Sequence, residues 1–272
     1  MPTIVEGLAR AELKRCAKIP VKCTKLSYKV KNIAEYFAVI SGVISKNDPF
    51  WFRGHESLGW ELKPLALRYR TLKQRTRALE LISEFMRVAE IKLSRPPQQT
   101  EKLKWIQIAR HYGLPTRLLD WTENASVGLF FACKDQSQDG VVFMLNPIQL
   151  NRLTYPSKPR ILDANSDEEV IEVYLKLDAK YRQFGKNPIA INPVWNSERL
   201  MVQRGVFTLH GARFDLSGDR IPSLVALPIL KEYKEDLRRD LQRVGIDEMT
   251  VFPELEHACA HLKTIAGLDV TE

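Results

Sequence analysis

Helical patterning begins near residue 30, where apolar side chains recur every three or four positions. The recurring positions are Ile33, Phe37, Ile40 and Ile44. This spacing predicts an amphipathic helix over residues 30–44. Residues 72–93 contain no Gly or Pro and place apolar side chains along one face, which predicts a long helix. A third helix is predicted over 101–112, with Gly113 as its C-terminal cap and Pro115 preventing its continuation.

Short apolar runs between the helices predict the strands of a sheet. The first covers 50–52 and delivers Arg53 and Gly54 to its end. Further extended segments are predicted over 117–121, 141–145, 189–194, 206–209, 224–229 and 249–252, and further helices over 124–134, 167–181, 231–244 and 253–266, with a helical turn at 197–203. Strands and helices do not alternate strictly, so the pattern favours an α+β fold with a mixed sheet of short strands over a Rossmann-type fold. No repeat or linker is evident, which predicts one domain over 30–268 behind an N-terminal extension, 1–29.

Composition narrows the class of protein. The 272 residues are 44% hydrophobic, enough for one substantial core, and no apolar run approaches the roughly 20 residues of a membrane helix. The start of the chain lacks the apolar block of a secretory signal, so the expected location is the cytoplasm, away from membranes. The cysteines are too widely spaced for a C-x-x-C motif, so we expect reduced thiols and no metal site. No feature of the sequence indicates an oligomeric state.

The net charge of +8 favours an acidic partner, either a nucleic acid or a polyphosphate cofactor. The positive residues are scattered, however, and form neither a basic tail nor an aromatic-spaced stripe. A solvated basic surface is therefore equally consistent with the charge.

Phe52-Arg53-Gly54 is the first candidate for function. An apolar strand that leads into an Arg and then a Gly places a guanidinium at the edge of the core, where its fork can hold a phosphate or a carboxylate. The alternative is that Arg53 pairs with a structural Asp.

The second candidate is the segment 109–122, ARHYGLPTRLLDWT. Its mixture of His, Tyr, Arg, Asp, Trp and Thr is too polar for a core and too aromatic for a simple loop. Arg117 and Asp120 could pair with each other, which would be a structural role. Thr122 or Asn124 is expected to cap the next helix, whose free N–H groups would suit a phosphate or a sugar hydroxyl.

Together, Phe52-Arg53-Gly54 and residues 111–122 resemble the FRG domain family, which is named for the first triplet and is common in bacteria and phages. The resemblance extends to 203–208 and to Phe252-Pro253, and so covers about residues 30–265. Two positions depart from the family pattern: Arg110 stands where Gln is expected, and Gly128 where Ala is expected. The family name by itself supplies little function.

More distantly, the chain resembles ADP-ribosyltransferases, which order an Arg at a strand end, a Ser/Thr strand before a helix, and a Glu ahead of a Gly and a last strand. Arg53, Thr122 and Glu198 hold those places. The resemblance implies NAD as the substrate, with Arg53 on the pyrophosphate, Thr122 at the ribose and a catalytic Glu198 that stabilises positive charge on the sugar. Tyr112 or Trp121 would stack on nicotinamide, and the remaining pocket residues would be Gly54, His111, Thr116, Arg117, Asp120 and Gln203.

These observations predict an ADP-ribosyltransferase or NAD glycohydrolase-like protein that serves as a toxin or defence effector in conflict between bacteria and phages. Its acceptor would be a nucleic acid or a protein. Two alternatives stay open at this point. One is a non-catalytic module that binds nucleic acid or a nucleotide, and the other is a scaffold in which the long motif is structural and Glu198 is an exposed residue on a helical turn.

Overall fold

The computed structural model describes residues 24–44, 48–175, 187–211, 224–266 and 268. Its strands are β1 (Thr24–Lys25), β2 (Trp51–His55), β3 (Leu118–Thr122), β4 (Gly140–Leu145), β5 (Leu162–Asp163), β6 (Ile189–Asn192), β7 (Gly205–Leu209) and β8 (Leu224–Ile229). They form one eight-stranded sheet in the order β1-β8-β4-β2-β3-β7-β6-β5. The pairs β1–β8 and β5–β6 are parallel and the other pairs are antiparallel. The predicted α+β class with a mixed sheet is confirmed.

The helices surround this sheet. Those that were predicted agree with the predicted helices to within a few residues at most ends, whereas the short helices over 65–68, 147–152 and 248–251 were not predicted. They are α1 (Ile33–Val43), α2 (Leu65–Arg68), α3 (Leu72–Lys92), α4 (Lys102–His111), α5 (Ala125–Ala132), α6 (Pro147–Arg152), α7 (Glu168–Leu175), α8 (Glu198–Val202), α9 (Lys231–Arg243), α10 (Glu248–Val251) and α11 (Leu255–Ile265). Within the described ranges, no helix is both long enough and apolar enough to cross a membrane.

The middle of the sheet contains a seam between β2 and β3. β2 pairs with β4 at five consecutive positions, and β3 pairs with β7 at five. The register between β2 and β3 instead joins one pair of residues, Phe52 and Thr122. Beyond that rung, the two strands follow different neighbours and diverge.

Side chains on both faces of the sheet are buried, because alternate residues of a strand point to opposite faces. One core cluster includes Trp51, Leu119, Trp121, Phe143 and Leu150. A second cluster joins the sheet to α1, α5 and α9 and includes Phe52, Val142, Met144, Phe130 and Leu237. A third packs β3, β6 and β7 against α4 and α7, and includes Leu103, Leu118, Ile189 and Leu209. These clusters fix the positions of α4 and α5 relative to the seam.

The structure corrects several sequence predictions. Residues 249–252 are not a strand, because α10 covers residues 248–251: the Asp247 side chain accepts a hydrogen bond from the Thr250 amide, and the Thr250 hydroxyl accepts one from the Asp247 amide. Arg53 and Gly54 lie inside β2 instead of at its end. Residues 176–181 of the predicted helix 167–181, and residues 1–23 of the predicted N-terminal extension, lie outside the described residues. Residues 24–25 of that extension form β1.

Candidate functional site

A cleft of about 470 Å³ lies at the seam, between the diverging residues of β2 and β3. Residues of α4, α5 and α8 complete its walls. Of the residues predicted to form a site, seven line it: Arg53, Gly54, His111, Asp120, Trp121, Thr122 and Gln203. The two sequence motifs therefore meet in space.

Arg53 spans the seam. Its Nη1 donates a hydrogen bond to the backbone oxygen of Asp120 at 2.6 Å and lies 3.6 Å from the Asp120 carboxylate. Its Nε donates to Nε2 of His55 at 2.8 Å. Burial lowers the pKa of Arg53 to about 10, against the opposing effect of Asp120. The guanidinium therefore stays charged at neutral pH and has a fixed orientation.

His55 holds the other side of this guanidinium and was not predicted from the sequence. Since Nε2 accepts from Arg53, the ring is neutral in this arrangement. Burial, followed by the charge of Arg53, lowers the pKa of His55 well below its ordinary value. The sequence does contain an indication of this contact, because His55 follows Arg53 by two residues and residues two apart on a strand share a face.

Asp120 pairs with Arg110 across the gap between α4 and β3. Arg110 Nε donates to Oδ1 at 2.6 Å, and Nη2 donates to Oδ2. Burial alone would raise the pKa of Asp120, but Arg110 and then Arg53 outweigh it and lower this pKa to about 2. Arg110, which stands where Gln was expected, thus supplies a bidentate partner for the carboxylate.

The pair between Arg117 and Asp120, which the sequence left open as a structural alternative, does not form. Residues three apart on an extended strand point to opposite faces. Arg117 is buried away from the cleft and donates to the backbone oxygens of His210 at 3.1 Å and Leu175 at 3.0 Å. These bonds tie the start of β3 to the end of β7 and to α7, so Arg117 has a structural position outside the proposed pocket.

Thr116 and Tyr112 also lie outside the lining of the cleft. The buried Thr116 hydroxyl accepts from the Leu118 amide at 3.3 Å. Tyr112 is 63% exposed, and its ring lies beside Phe85. Neither position matches the cofactor contacts expected for these two residues. Trp121, the other candidate for stacking, lines the cleft, and its Nε1 donates to the Thr208 hydroxyl at 3.1 Å.

The Thr122 hydroxyl connects β3 to α8. It donates to the backbone oxygen of Gln203 at 2.5 Å and accepts from the Asn124 amide at 2.9 Å. Asn124, not Thr122, caps α5, and its Oδ1 accepts from the Ser126 amide at 2.9 Å. The backbone N–H groups at the start of α5 were expected to be free for a ligand. Two of them, those of Asn124 and Ser126, instead donate to the side chains of Thr122 and Asn124.

Glu198 is the first residue of α8 and is exposed. It is not part of the cleft lining, although its neighbours Ser197 and Arg199 both are. Ser197 caps α8 by accepting from the Leu200 amide. Gln203, at the other end of α8, donates to the Val251 backbone oxygen at 2.8 Å and holds this helix against α10.

Sequence reasoning missed further residues of the cleft, among them Trp60 and Gln107. Trp60 is 46% exposed, and its ring centroid lies 6.0 Å from that of His55. Gln107 is buried on the face of α4 that also carries Arg110 and His111, three and four residues later. The sequence feature that could have identified Gln107 is its position on the same helix, one turn before Arg110 and His111.

The cleft carries a small excess of positive charge. Its lining contains the guanidiniums of Arg53, Arg110 and Arg199 against the carboxylates of Glu56 and Asp120. The charge of Arg68 adds to this field, since it acts on both Arg53 and Arg110. The arrangement suits an anionic ligand that also has an apolar or aromatic part.

Comparison with known proteins bears on one part of the chain. Residues 48–140 match the family model of the FRG domain. No curated protein and no solved structure matches the chain. The matched residues run from just before β2 to the start of β4. This range is shorter than the predicted domain, 30–268, and the wider extent stays a prediction. The resemblance to ADP-ribosyltransferases also stays a prediction. This chain therefore carries an FRG domain over residues 48–140, and both motifs that flank the seam lie within it.

Proposed function

We propose that the cleft at the seam binds a nucleotide, with NAD as the first candidate. The observation that carries this proposal is that fixed guanidiniums, an exposed Trp ring and a buried amide share one cleft. Its volume of about 470 Å³ lies in the usual range of small-molecule sites. Guanidiniums suit phosphate oxygens, and an aromatic ring offers a stacking surface for a base.

Arg53 is the residue assigned to the ligand phosphates. Its bonds to His55 and to the Asp120 backbone use Nε and Nη1. Among the described residues these contacts leave Nη2 for an incoming oxygen. Since the side chain is already held in place, little conformational entropy is lost when a phosphate binds.

The enzymatic form of the proposal adds cleavage of NAD. The bond between nicotinamide and ribose C1′ would break, nicotinamide would leave with the bonding electrons, and water or an acceptor nucleophile would add to C1′ and lose a proton. Glu198 would stabilise the positive charge that develops on the sugar. Glu198 itself is outside the lining, and what supports the assignment is that its chain neighbours Ser197 and Arg199 both line the cleft. In biological terms, such an activity would suit a toxin or a defence effector.

A second candidate is a non-catalytic module that holds a nucleotide or a nucleic acid in the same cleft. Two observations favour it: Glu198 lies outside the lining, and the Thr122 hydroxyl is engaged by Gln203 and Asn124. This function predicts saturable, salt-dependent binding without turnover.

Binding and turnover can be separated by experiment. Calorimetric titration with NAD is expected to show saturable binding that weakens about 10- to 100-fold in Arg53→Gln, since charge-assisted hydrogen bonds are lost. Arg87→Gln removes an exposed charge on α3 and should bind like the wild type. Nicotinamide release by the wild type, lost in Glu198→Gln with binding retained, would establish the enzymatic form. Binding without release would support the module, and a wild type that does not bind NAD would remove the NAD proposal.

A further inference from the structure

Gln107 places an unpaired amide in the wall of the cleft. The residue is 4% exposed and belongs to the lining. Both side-chain atoms, Oε1 and Nε2, are buried and have no hydrogen-bond partner among the described residues. Most buried polar side-chain atoms in proteins do have such a partner, so this pair calls for an explanation.

The position does not need an amide for packing. Leu103, one turn earlier on the same face of α4, is a buried apolar residue, and Leu or Met at position 107 would occupy a similar volume without polar atoms to desolvate. In the ligand-free protein, Gln107 is therefore a source of instability. A ligand that supplied both a donor and an acceptor would remove that cost.

The chemistry of the amide defines what such a ligand must present. A Gln side chain offers one acceptor oxygen and an NH₂ donor side by side in a plane. Its complement is a planar group with an adjacent donor and acceptor, such as the N6/N7 edge of adenine or a primary carboxamide. A purely anionic group would leave the amide oxygen unpaired, and an apolar ring would leave both atoms unpaired.

The placement along α4 agrees with a nucleotide lying lengthwise in the cleft. Gln107 is buried, Arg110 follows at three residues with a side chain that is 20% exposed, and His111 follows at four and is exposed. One face of the helix thus passes from an uncharged amide through a guanidinium to an exposed imidazole.

We propose that Gln107 is the specificity-determining residue of this cleft and that it recognises the donor–acceptor edge of a planar group on the ligand, whose phosphates lie toward Arg53 and Arg110. This assignment rests on the proposed nucleotide-binding function and defines its substrate class further. NAD carries two groups of the required kind, the carboxamide of nicotinamide and the amino edge of adenine.

The test compares three dinucleotides on the wild type, Gln107→Leu and a control, Gln242→Leu, which changes an exposed residue of α9. Nicotinic acid adenine dinucleotide replaces the carboxamide by a carboxylate, and nicotinamide hypoxanthine dinucleotide replaces the amino group of adenine by an oxygen. The wild type and the control are expected to bind NAD at least about tenfold more tightly than one of the two analogues. The analogue that is rejected identifies the group that Gln107 contacts. In Gln107→Leu, this preference should disappear.

A second measurement separates recognition from a structural role. The melting temperature of ligand-free Gln107→Leu should equal or exceed that of the wild type, because an unpaired buried amide has been removed. A lower melting temperature, or an unchanged preference among the three dinucleotides, would overturn the role of Gln107 while leaving the nucleotide proposal intact. If the wild type binds none of the three, the proposed function fails, and the role of Gln107 fails with it.

Discussion

Gly54 of β2 and Gly128 of α5 are in backbone contact: a Cβ atom added to Gly54 would lie 2.1 Å from the Gly128 carbonyl oxygen. A Cβ atom added to Gly128 would in turn lie 2.8 Å from the Cβ of Phe52. The helix therefore lies directly on the strand, which brings Val127 and Phe131 into the wall of the cleft. At position 128, where Ala was expected, the Gly of this chain thus has a steric reason.

Gly54→Ala is expected to lower the free energy of unfolding by about 3 kcal/mol or more, because the new methyl group meets backbone atoms that cannot rotate away. Gly42→Ala is the matched control. A Cβ atom at that exposed position of α1 meets nothing within 4 Å, so the variant should be unchanged or stabilised by up to about 1 kcal/mol. Urea denaturation measures both. Equal stabilities of Gly54→Ala and the wild type would contradict the contact.

His55 predicts a specific loss of stability in mild acid. Its folded-state pKa is far below the ordinary 6.5, so the unfolded chain takes up a proton below about pH 6.5 and the folded chain does not. The free energy of unfolding should therefore fall by up to about 1.4 kcal/mol per pH unit as the pH decreases from 6.5 to 5. In His55→Gln, whose amide oxygen could still accept from Arg53, this contribution should be absent. Parallel pH profiles for the two proteins would refute the assignment.

Asp120 predicts a change at lower pH. Its folded-state pKa is about 2, below the ordinary 3.8, so the ionised carboxylate stabilises the fold above about pH 4 and this contribution disappears as the pH falls toward 2. The side chain is 44% exposed, which reduces the expected effect to about 1 kcal/mol. Asp120→Asn should thus be less stable than the wild type near neutral pH, and the difference should shrink between pH 4 and 3. A difference that does not depend on pH would contradict the ion pair.

Lys234 provides a prediction away from the cleft. This lysine of α9 is fully buried, and its Nζ donates to the backbone oxygens of Glu56 at 3.0 Å and Asp135 at 2.6 Å. Lys234→Met retains the volume but leaves two carbonyls unpaired, so it should lower the free energy of unfolding by about 2–3 kcal/mol. Lys231→Met, at an exposed position of the same helix, should change it by less than about 0.5 kcal/mol. Similar thermal stabilities of the two variants would rule out this role.

The sequence predicted most of the fold because the periodicity of apolar residues is a local property. The long helix α3 and the buried strand β4 both have an unbroken pattern of this kind. The strand predicted at 249–252 is wrong because its three apolar residues also fit a short helix, and Asp247 and Thr250 cap that helix. A cap is equally local, and could have been found.

The site was predictable only in part. The motifs identified Arg53 and Asp120, but the partner of the carboxylate depends on how α4 packs beside β3, which no local pattern contains. Gln107 looked like an ordinary residue of an amphipathic helix, since its unpaired amide is visible only in three dimensions. Glu198 was placed by order and spacing along the chain, and these fix neither the direction of a side chain nor its distance from a cleft.

A complete ladder between β2 and β3 would have held their backbones about 5 Å apart and filled the space with paired amides. The single Phe52–Thr122 rung turns the centre of the sheet, ordinarily its least accessible part, into an opening whose width depends on side chains. Arg53 reaches across this opening to the Asp120 backbone oxygen on the opposite strand. A ligand that competed for that guanidinium would therefore remove one of the contacts that join the two strands.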